Sequence, residues 1–139
     1  MEAIRLRYEV DADDLSRAGE ASGEMKMTLR RLGIPNEIIR RAAICMYESE
    51  INMVIHADGG VAEVTVTLED ITITLTDTGP GIPDLEKAMS EGWTTAGETA
   101  RGLGFGAGMG LPNMKRHADE MRVDTRVGEG TRVTMVIHL

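Results

Sequence analysis

The sequence predicts an α+β fold in which helices and a sheet form a two-layer sandwich. Two observations lead to this prediction. Apolar residues alternate with polar ones in five short segments, as in half-buried strands, whereas residues 15–57 repeat their apolar positions at helical spacing. Four of the strand-like segments lie in hairpin pairs, so the expected order is β-α-α-β-β-(α)-loop-α-β-β and the expected class is α+β.

The first part of the chain supplies one strand and two helices. Residues 4–10 alternate between apolar and charged side chains and predict a half-buried strand. A helix is expected from Asp13 to a glycine stop at Gly33. Pro35, which is tolerated in a first helical turn, opens a second helix that is expected to end near Ala57.

The rest of the chain supplies two hairpins and a glycine-rich connection. Residues 61–68 and 71–76 alternate and predict an antiparallel hairpin. A short helix is expected at residues 85–89. Residues 92–108 are rich in small side chains and predict a long loop, of the kind that is usually functional. The chain is expected to close with a helix and a second hairpin, at residues 111–120, 121–127 and 131–139.

Length and composition predict one cytoplasmic domain. A chain of 139 residues matches a single domain, residues 1–139, and can bury its own core, which Met, Ile, Leu and Val must fill because aromatic residues make up only 3%. The net charge of −8 argues against a nucleic-acid surface, although backbone N–H groups can still hold phosphate. One cysteine excludes an internal disulfide, and no apolar run reaches the roughly 18 residues of a membrane span.

Glycine occupies every second position from Gly102 to Gly110, interleaved with Leu, Phe, Ala and Met. Such a segment lets backbone approach a ligand closely, and it leads into a predicted helix whose free N–H groups favour anions. We interpret it as a phosphate-binding loop. The dinucleotide pattern G-x-G-x-x-A is matched, but no strand precedes it, and no G-K-[S/T] follows. Both the dinucleotide and the Walker interpretations are therefore rejected.

Asp77 ends the third predicted strand and begins the turn Asp77-Thr78-Gly79-Pro80-Gly81. The first three residues resemble an aspartic-protease site, but that interpretation needs a nearly all-β chain, and two long helices are predicted before Asp77. At the mouth of a pocket, this carboxylate would accept a hydrogen bond from an exocyclic amine such as adenine N6. Gly79 and Gly81 would let the base lie against backbone. The simpler alternative is an aspartate that only terminates a strand.

Glu48 and Asn52 lie four residues apart on the second helix and therefore share a face. An amide oxygen is a suitable ligand for Mg²⁺, which prefers hard oxygen donors, water and phosphate oxygens. A glutamate one turn away would orient or deprotonate a nucleophile. The alternative is a pair of solvated polar residues. Glu50, about 160° around the helix from Asn52, is expected to be such a solvated residue.

Three segments of the chain stand in order, namely Glu48-Ser49-Glu50-Ile51-Asn52, Asp77-Thr78-Gly79-Pro80-Gly81-Ile82 and the glycine segment that ends in Gly108-Met109-Gly110-Leu111. They resemble the N box, G1 box and G2 box of the GHKL (Bergerat-fold) ATP-binding superfamily, and the closing Gly128-x-Gly130-Thr131 fits the same pattern. The size of the chain and residues 110–116 resemble the anti-sigma-factor serine/threonine kinases. The resemblance implies a Bergerat-type sandwich whose mixed, mostly antiparallel sheet is covered by helices on one face.

The resemblance also implies residue roles in binding ATP and Mg²⁺. Glu48 would be the catalytic base and Asn52 the magnesium ligand. Asp77 would contact adenine, with Thr131 assisting through water, and Arg101 is a candidate contact of the γ-phosphate. The other implied pocket or lid residues are Gly79, Gly81, Ile82, Gly104, Gly106, Gly108, Met109, Gly110 and Leu111. The second glycine box, GLGFGAGMGL, is longer than is typical of the superfamily.

The function implied by the resemblance is an ATP-dependent protein serine/threonine kinase or anti-sigma regulatory factor. Its partner would be a STAS-domain anti-anti-sigma protein or a sigma factor, and a homodimer through the first strand and helix is expected. Neither nucleic acid nor a membrane is an expected partner. Two alternatives stay open, a switch that changes partner affinity on binding ATP without phosphorylation and an accessory regulator of a larger enzyme. Three histidines are expected to be structural, His56, His117 and His138.

Overall fold

The computed structural model describes residues 3–11, 17–57, 59–82, 89 and 110–139. Within these ranges the chain forms five strands and three helices. In chain order they are β1 (Ile4–Val10), α1 (Glu20–Arg31), α2 (Asn36–His56), β2 (Gly60–Val66), β3 (Asp70–Asp77), α3 (Gly110–His117), β4 (Glu120–Arg126) and β5 (Gly130–His138). The predicted helix at residues 85–89, apart from Met89, and the predicted loop at 92–108 lie outside the described residues.

The strands form one sheet in the order β1-β2-β3-β5-β4, and each of these neighbouring pairs is antiparallel. Both predicted hairpins are present, as β2–β3 and β4–β5. In the centre of the sheet β3 pairs with β5, so that Asp77 lies opposite Thr131. This pairing brings the end of β3 next to the β4–β5 hairpin, although Asp77 and Thr131 are 54 residues apart in the sequence.

The helices cover one face of the sheet, as the predicted α+β sandwich requires. Alternate residues of the central strands point into the layer between sheet and helices and are fully buried, among them Val64, Ile73, Leu75, Met135 and Ile137. The intervening residues, such as Thr72 and Thr74, are only half-buried on the opposite face. The period of two in the strands therefore separates an apolar face from a polar one.

Methionine fills much of the core, as the scarcity of aromatic residues predicts. Met25, Met46, Met114 and Met135 are completely buried, and they come from α1, α2, α3 and β5. An unbranched thioether side chain adapts to irregular gaps between layers, so it can replace the bulk of an aromatic ring. Within the described part of the chain, no helix has the length and apolar character needed to cross a bilayer.

Some of the predicted element boundaries differ from the structure for physical reasons. The predicted helix start at Asp13 lies outside the described residues, and the described helix α1 begins at Glu20, directly after Gly19, whose φ of 99° is left-handed and interrupts a helix. Helix α3 ends at His117 rather than at Glu120, because Asp119 already hydrogen-bonds to strand β5. Its backbone N–H donates to Val136 O at 2.9 Å, and its carboxylate accepts from the His138 N–H at 2.7 Å.

The first hairpin closes two residues earlier than the alternation predicts. Strand β2 ends at Val66 because the Thr67 hydroxyl takes over the local hydrogen bonds. It accepts from the N–H groups of Glu69 and Asp70, each at 3.1 Å. Threonine hydroxyls compete with strand pairing in this way, so the turn begins at Thr67.

Candidate functional site

Three polar side chains of helix α2 point in two directions. Glu48 faces α3, Asn52 faces the first residue of α3, and Glu50 faces the start of α1. Successive residues of an α-helix are about 100° apart, so positions 48 and 52 share a face that position 50 does not. Helix α2 therefore places Glu48 and Asn52 on one face, as the sequence predicts.

The side chain of Asn52 lies directly against Gly110. A Cβ atom placed on Gly110 would stand 3.1 Å from Asn52 Nδ2 and 3.2 Å from Asn52 Oδ1. This spacing is tighter than normal packing, so any residue larger than glycine would press on the amide. The next residue, Leu111, is 6% exposed and anchors the start of α3 in the core. The predicted N box and the end of the predicted G2 box thus meet at this point.

Glu48 is half-buried, and its carboxylate oxygen Oε1 lies 3.4 Å from the amide nitrogen of Asn113 on α3. Burial raises the pKa of the Glu48 carboxyl. The hydrogen bond from Asn113 and the electrostatic influence of His117 act in the opposite direction. We call the group formed by Glu48, Asn52, Gly110 and Asn113 the helix corner.

Packing between α2 and α3 stabilises the helix corner. Cys45 is fully buried one turn before Glu48, and its sulfur lies 3.7 Å from Met114 O. Burial raises the pKa of the Cys45 thiol to about 12, so it stays protonated and serves as a packing residue. At the far end of α3, the Arg41 Nε donates to His117 O at 2.9 Å and its guanidinium pairs with Asp119 at 3.0 Å.

Asp77 organises the turn that follows β3. Its Oδ1 accepts a hydrogen bond from the Gly79 N–H at 2.9 Å and another from the Thr131 N–H at 3.2 Å. Both of these backbone donors use Oδ1, so among the described residues they leave Oδ2 open to a further donor. We call residues 77–82 the strand-end turn.

Close backbone contacts fix the strand-end turn against the β4–β5 hairpin. Pro80 O accepts from the Gly128 N–H at 2.8 Å, and the Ile82 N–H donates to Thr125 Oγ1, also at 2.8 Å. A Cβ atom on Gly81, whose φ is 78°, would stand 2.4 Å from Arg126 O. No side chain fits there, so glycine at this position is required by the fold itself.

Gly79 connects the turn to the end of α2. A Cβ atom on Gly79 would lie 2.5 Å from the Cβ of Ala57, the residue that caps α2. The strand-end turn therefore touches the same helix that carries Glu48 and Asn52. Thr131 belongs to this region as well, since its hydroxyl lies 2.9 Å from that of Thr125.

The structure thus brings the described candidate residues into two neighbouring groups. The helix corner includes the candidates Glu48, Asn52 and Gly110, with the buried Leu111 next to it. The strand-end turn includes Asp77, Gly79, Gly81 and Ile82, with Thr131 beside it. The remaining candidates lie outside the described residues, namely Arg101, Gly104, Gly106, Gly108 and Met109.

Two features around the site are not predicted by the sequence. Asn113 belongs to residues 110–116, which enter only through the family resemblance, although its position three residues after Gly110 places it on the helix that faces Glu48. Glu50 was expected to be solvated, and this is wrong. It is 3% exposed and accepts hydrogen bonds from the N–H groups of Gly19, Ala21 and Ser22 at 2.9 to 3.2 Å. It satisfies orphan donors at the start of α1.

The histidines have different surroundings. His117 Nδ1 lies 2.8 Å from Asn113 O within α3, and His138 Nε2 lies 3.6 Å from a carboxylate oxygen of Glu120. Both contacts are consistent with structural roles. The side chain of His56 lies outside the described part of the structure.

The sandwich fold, with an acid–amide pair on a helix beside a glycine-led helix, is that of the histidine-kinase-like ATPases. A family model described as "Histidine kinase-, DNA gyrase B-, and HSP90-like ATPase" matches residues 33–139. The chain belongs to this family.

The relatives within this family include sigma-factor regulators. The chain is 32% identical over 101 residues to the serine/threonine-protein kinase RsbT of Bacillus subtilis, an alignment that covers 73% of this chain and 65% of the relative. It is 40% identical over 96 residues to the anti-sigma F factor of Pasteuria penetrans, covering 64% and 61%. The chain therefore spans slightly less than two thirds of these relatives. An anti-sigma F factor of Clostridium acetobutylicum is 32% identical, with 71% and 69% covered.

Solved structures support the fold. The RsbU and RsbW domains of Rv1364c from Mycobacterium tuberculosis superpose with a TM-score of 0.65 at 15% identity, covering 96% of this chain and 32% of that one. The mycobacterial sensor histidine kinase MprB gives a TM-score of 0.55 at 17% identity, covering 97% of each chain. At this identity, the likeness concerns the fold alone.

Proposed function

We propose that this chain is an ATP- and Mg²⁺-dependent protein serine/threonine kinase of the anti-sigma regulatory type. Its substrate is a small regulatory protein of the STAS class, and it acts as a single domain, residues 1–139, in the cytoplasm. The observation that carries the proposal is the helix corner, where the half-buried Glu48 carboxylate and the Asn52 amide share one face of α2 beside Gly110. The names of the relatives RsbT and anti-sigma F factor favour the same activity.

The residues at the helix corner fit a magnesium–nucleotide. Asn52 offers an amide oxygen, a hard donor of the kind that Mg²⁺ accepts alongside water and phosphate oxygens. Gly110 leaves the amide uncovered, since a Cβ atom would stand within 3.2 Å of Asn52 Oδ1. Bound Mg²⁺ would neutralise charge on the phosphates. The start of α3 presents backbone N–H groups to the same place, which favours phosphate.

The strand-end turn would recognise the base. Asp77 Oδ1 already accepts two backbone N–H groups, and Oδ2 would accept a hydrogen bond from the adenine amine. Because the turn is fixed by the hairpin, this acceptor is held in place before the nucleotide binds. Thr131, beside Asp77, would assist through water.

Glu48 would act as the general base of phosphoryl transfer. It takes the proton of a serine or threonine hydroxyl of the partner while that oxygen forms a bond to the γ-phosphorus. The bond between the γ-phosphorus and the β–γ bridging oxygen breaks, and ADP leaves. The raised pKa of Glu48 brings the carboxylate closer to the range in which a base both accepts and releases a proton near neutral pH.

The family resemblance assigns the remaining positions. Arg101 would contact the γ-phosphate, and a homodimer would form through the first strand and helix. The glycine-rich segment would form the lid over the nucleotide through Gly104, Gly106, Gly108, Met109 and Gly110.

A transfer assay tests the proposal. Labelled ATP is incubated with the chain and with STAS-domain proteins encoded near its gene. We expect label on the partner, and Glu48→Gln should lower the transfer rate by at least about 10³-fold while ATP affinity stays within about threefold. Glu63→Gln, an exposed glutamate on the opposite face of the sheet, is the matched control and should change neither. No label on any partner would contradict the kinase proposal. Partner binding that differs between ADP and an ATP analogue would then favour the switch.

The adenine contact is tested separately. In Asp77→Asn, the Oδ1 atom keeps its two backbone donors, but an NH₂ group replaces Oδ2 and cannot accept from the adenine amine. ATP affinity measured by calorimetry should fall by about 10- to 100-fold, whereas the melting temperature should stay close to that of the wild type. Asp124→Asn, at an exposed position of β4, is the control. Unchanged affinity for ATP would exclude Asp77 from base recognition.

A further inference from the structure

Helix α3 places an asparagine between a guanidinium and the candidate base. Asn113 Nδ2 lies 3.4 Å from Glu48 Oε1, and Arg116 Nη1 lies 3.2 Å from Asn113 Oδ1. Residues 113 and 116 are three apart and therefore neighbours on one face of α3. The side-chain amide of Asn113 therefore makes both contacts, one with Glu48 and one with Arg116.

The chemistry of the two neighbours fixes the orientation of the amide. A guanidinium can only donate hydrogen bonds, so Arg116 requires the oxygen of Asn113 on its side. The NH₂ group of Asn113 then has to face Glu48, where a carboxylate can only accept. A flipped amide would put oxygen against oxygen at Glu48 and NH₂ against NH at Arg116. Arg116 therefore reinforces the orientation that the Glu48 carboxylate also requires, with Asn113 as the donor toward Glu48.

The donor toward Glu48 favours the charged form of the acid. Hydrogen bonds to a carboxylate stabilise it relative to the carboxylic acid, and burial does the reverse. From α3, the groups that act on Glu48 are Asn113, His117 and, through Asn113, Arg116. On α2 itself, Tyr47 is adjacent, and its own pKa is raised first by burial and then by the charge of Glu48. Asn113 makes a directed contact with Glu48, through its Nδ2 atom.

We infer that Asn113 is a positioning residue, which holds the Glu48 carboxylate by one oxygen and is itself oriented by Arg116. The inference rests on the proposed function, because it specifies how the base of that reaction is held. With Oε1 bound by Asn113, Oε2 is the oxygen presented to the hydroxyl of the substrate. The long distance of 3.4 Å indicates a modest effect, since hydrogen bonds weaken toward this end of their range.

Asn113→Leu is the principal test, because leucine has a similar volume and no hydrogen-bonding group. The titration of Glu48 is followed by ¹³C NMR of the side-chain carboxyl, assigned by comparison with Glu48→Gln. We expect the pKa of Glu48 to rise further in the variant, and kcat of phosphotransfer to fall by about tenfold with little change in the KM for ATP. The pH at which kcat reaches half its maximum should move upward with the NMR titration.

Companion variants keep the test decisive. Asn113→Gln retains the amide and should recover most of kcat. Arg116→Gln should raise the pKa of Glu48 by less than Asn113→Leu does. Asn36→Leu makes the same substitution at the exposed start of α2 and should alter neither readout. If Asn113→Leu unfolds the chain, Asn113→Ser removes the amide with less bulk and carries the same expectation.

The outcomes distinguish a failure of the inference about Asn113 from a failure of the kinase proposal. An unchanged Glu48 titration together with unchanged kcat in Asn113→Leu would overturn the inference. A fall in kcat without any shift in the titration or in the pH profile would also overturn it, since the loss would then be structural. The NMR titration needs no protein substrate. If the wild type labels no partner while the titration still shifts, the contact with Glu48 stands and the kinase proposal fails.

Discussion

The two halves of the candidate site are built by opposite means. The strand-end turn is fixed by backbone contacts that leave no room for a side chain, with a Cβ on Gly81 or Gly130 falling 2.4 or 2.2 Å from a backbone oxygen. The helix corner is held by a side-chain contact, Asn113 Nδ2 to Glu48 Oε1 at 3.4 Å. A Cβ on Gly110 would meet the Asn52 amide, at 3.1 to 3.2 Å, so this end has room for small adjustments. The comparison indicates that the proposed base-recognition end is a rigid part of the fold, whereas the proposed catalytic end is tuned by replaceable side chains.

The largest effect should come from the rigid end. Gly130, with a φ of 130°, would place a Cβ 2.2 Å from Asp77 O, whereas Gly128, with a φ of 80°, has nothing within 4 Å. Gly130→Ala should lower the free energy of unfolding by about 3 kcal/mol or more, because both strain and a backbone clash are introduced. Gly128→Ala introduces strain alone and should cost about 1 kcal/mol. Urea denaturation of the two variants measures the difference.

Equal losses in Gly130→Ala and Gly128→Ala would contradict this view of the turn. They would mean that left-handed backbone conformation, and not the close approach to Asp77, accounts for the cost of both substitutions. The comparison between a rigid turn and an adjustable corner would then lose its physical basis.

The helix corner should respond to a small substitution in function more than in stability. Gly110→Ala would press a methyl group on the Asn52 amide but would cost little folding free energy, because alanine favours helices. We expect the affinity for Mg²⁺·ATP to fall by about tenfold, about 1.4 kcal/mol. Gly23→Ala, in α1 with open space around it, should stabilise the chain by up to about 1 kcal/mol and leave binding unchanged. Calorimetric titration with nucleotide distinguishes the two variants.

The smallest effect concerns the charge of Glu48. Because burial raises its pKa in the folded state, the folded chain binds this proton more tightly than the unfolded chain, and stability falls as pH rises between the ordinary and the raised pKa. Glu48→Gln removes this fall in stability with rising pH. Above that window it should be more stable than the wild type, by less than about 1 kcal/mol since the group is only half-buried, and below the ordinary pKa the difference should vanish. A difference that grows as pH falls would have the wrong sign.

The sequence predicted the parts of the fold that depend on local patterns. Alternation placed both hairpins, because burial on one face of a strand fixes the period, and helical spacing put Glu48 and Asn52 on one face. These local patterns could not predict which individual side chains of distant segments contact each other. Glu50 was assigned to solvent because position on a helix does not reveal which neighbour covers it, and here the start of α1 does so.

Asn113 was missed for a related reason. Its contact with Glu48 joins residues 65 apart, and it exists only because α2 and α3 pack together. The order of the three boxes in the sequence predicted the neighbourhood of α2, β3 and α3. The side chains that complete this neighbourhood depend on how the helices are rotated against each other. The roles assigned to the glycine-rich lid stay predictions.

The three-way contacts of α2 also limit how this segment can change over evolutionary time. Position 48 meets α3, position 50 meets the start of α1, and position 52 meets Gly110. Inserting or deleting one residue upstream in α2 would turn all three side chains by about 100°, and each would lose its partner at once. Substitutions can be absorbed one at a time, but a change of length cannot. Homologous chains should therefore differ in the amino acids of this helix but keep its number of residues. Gaps in their alignments should fall outside it.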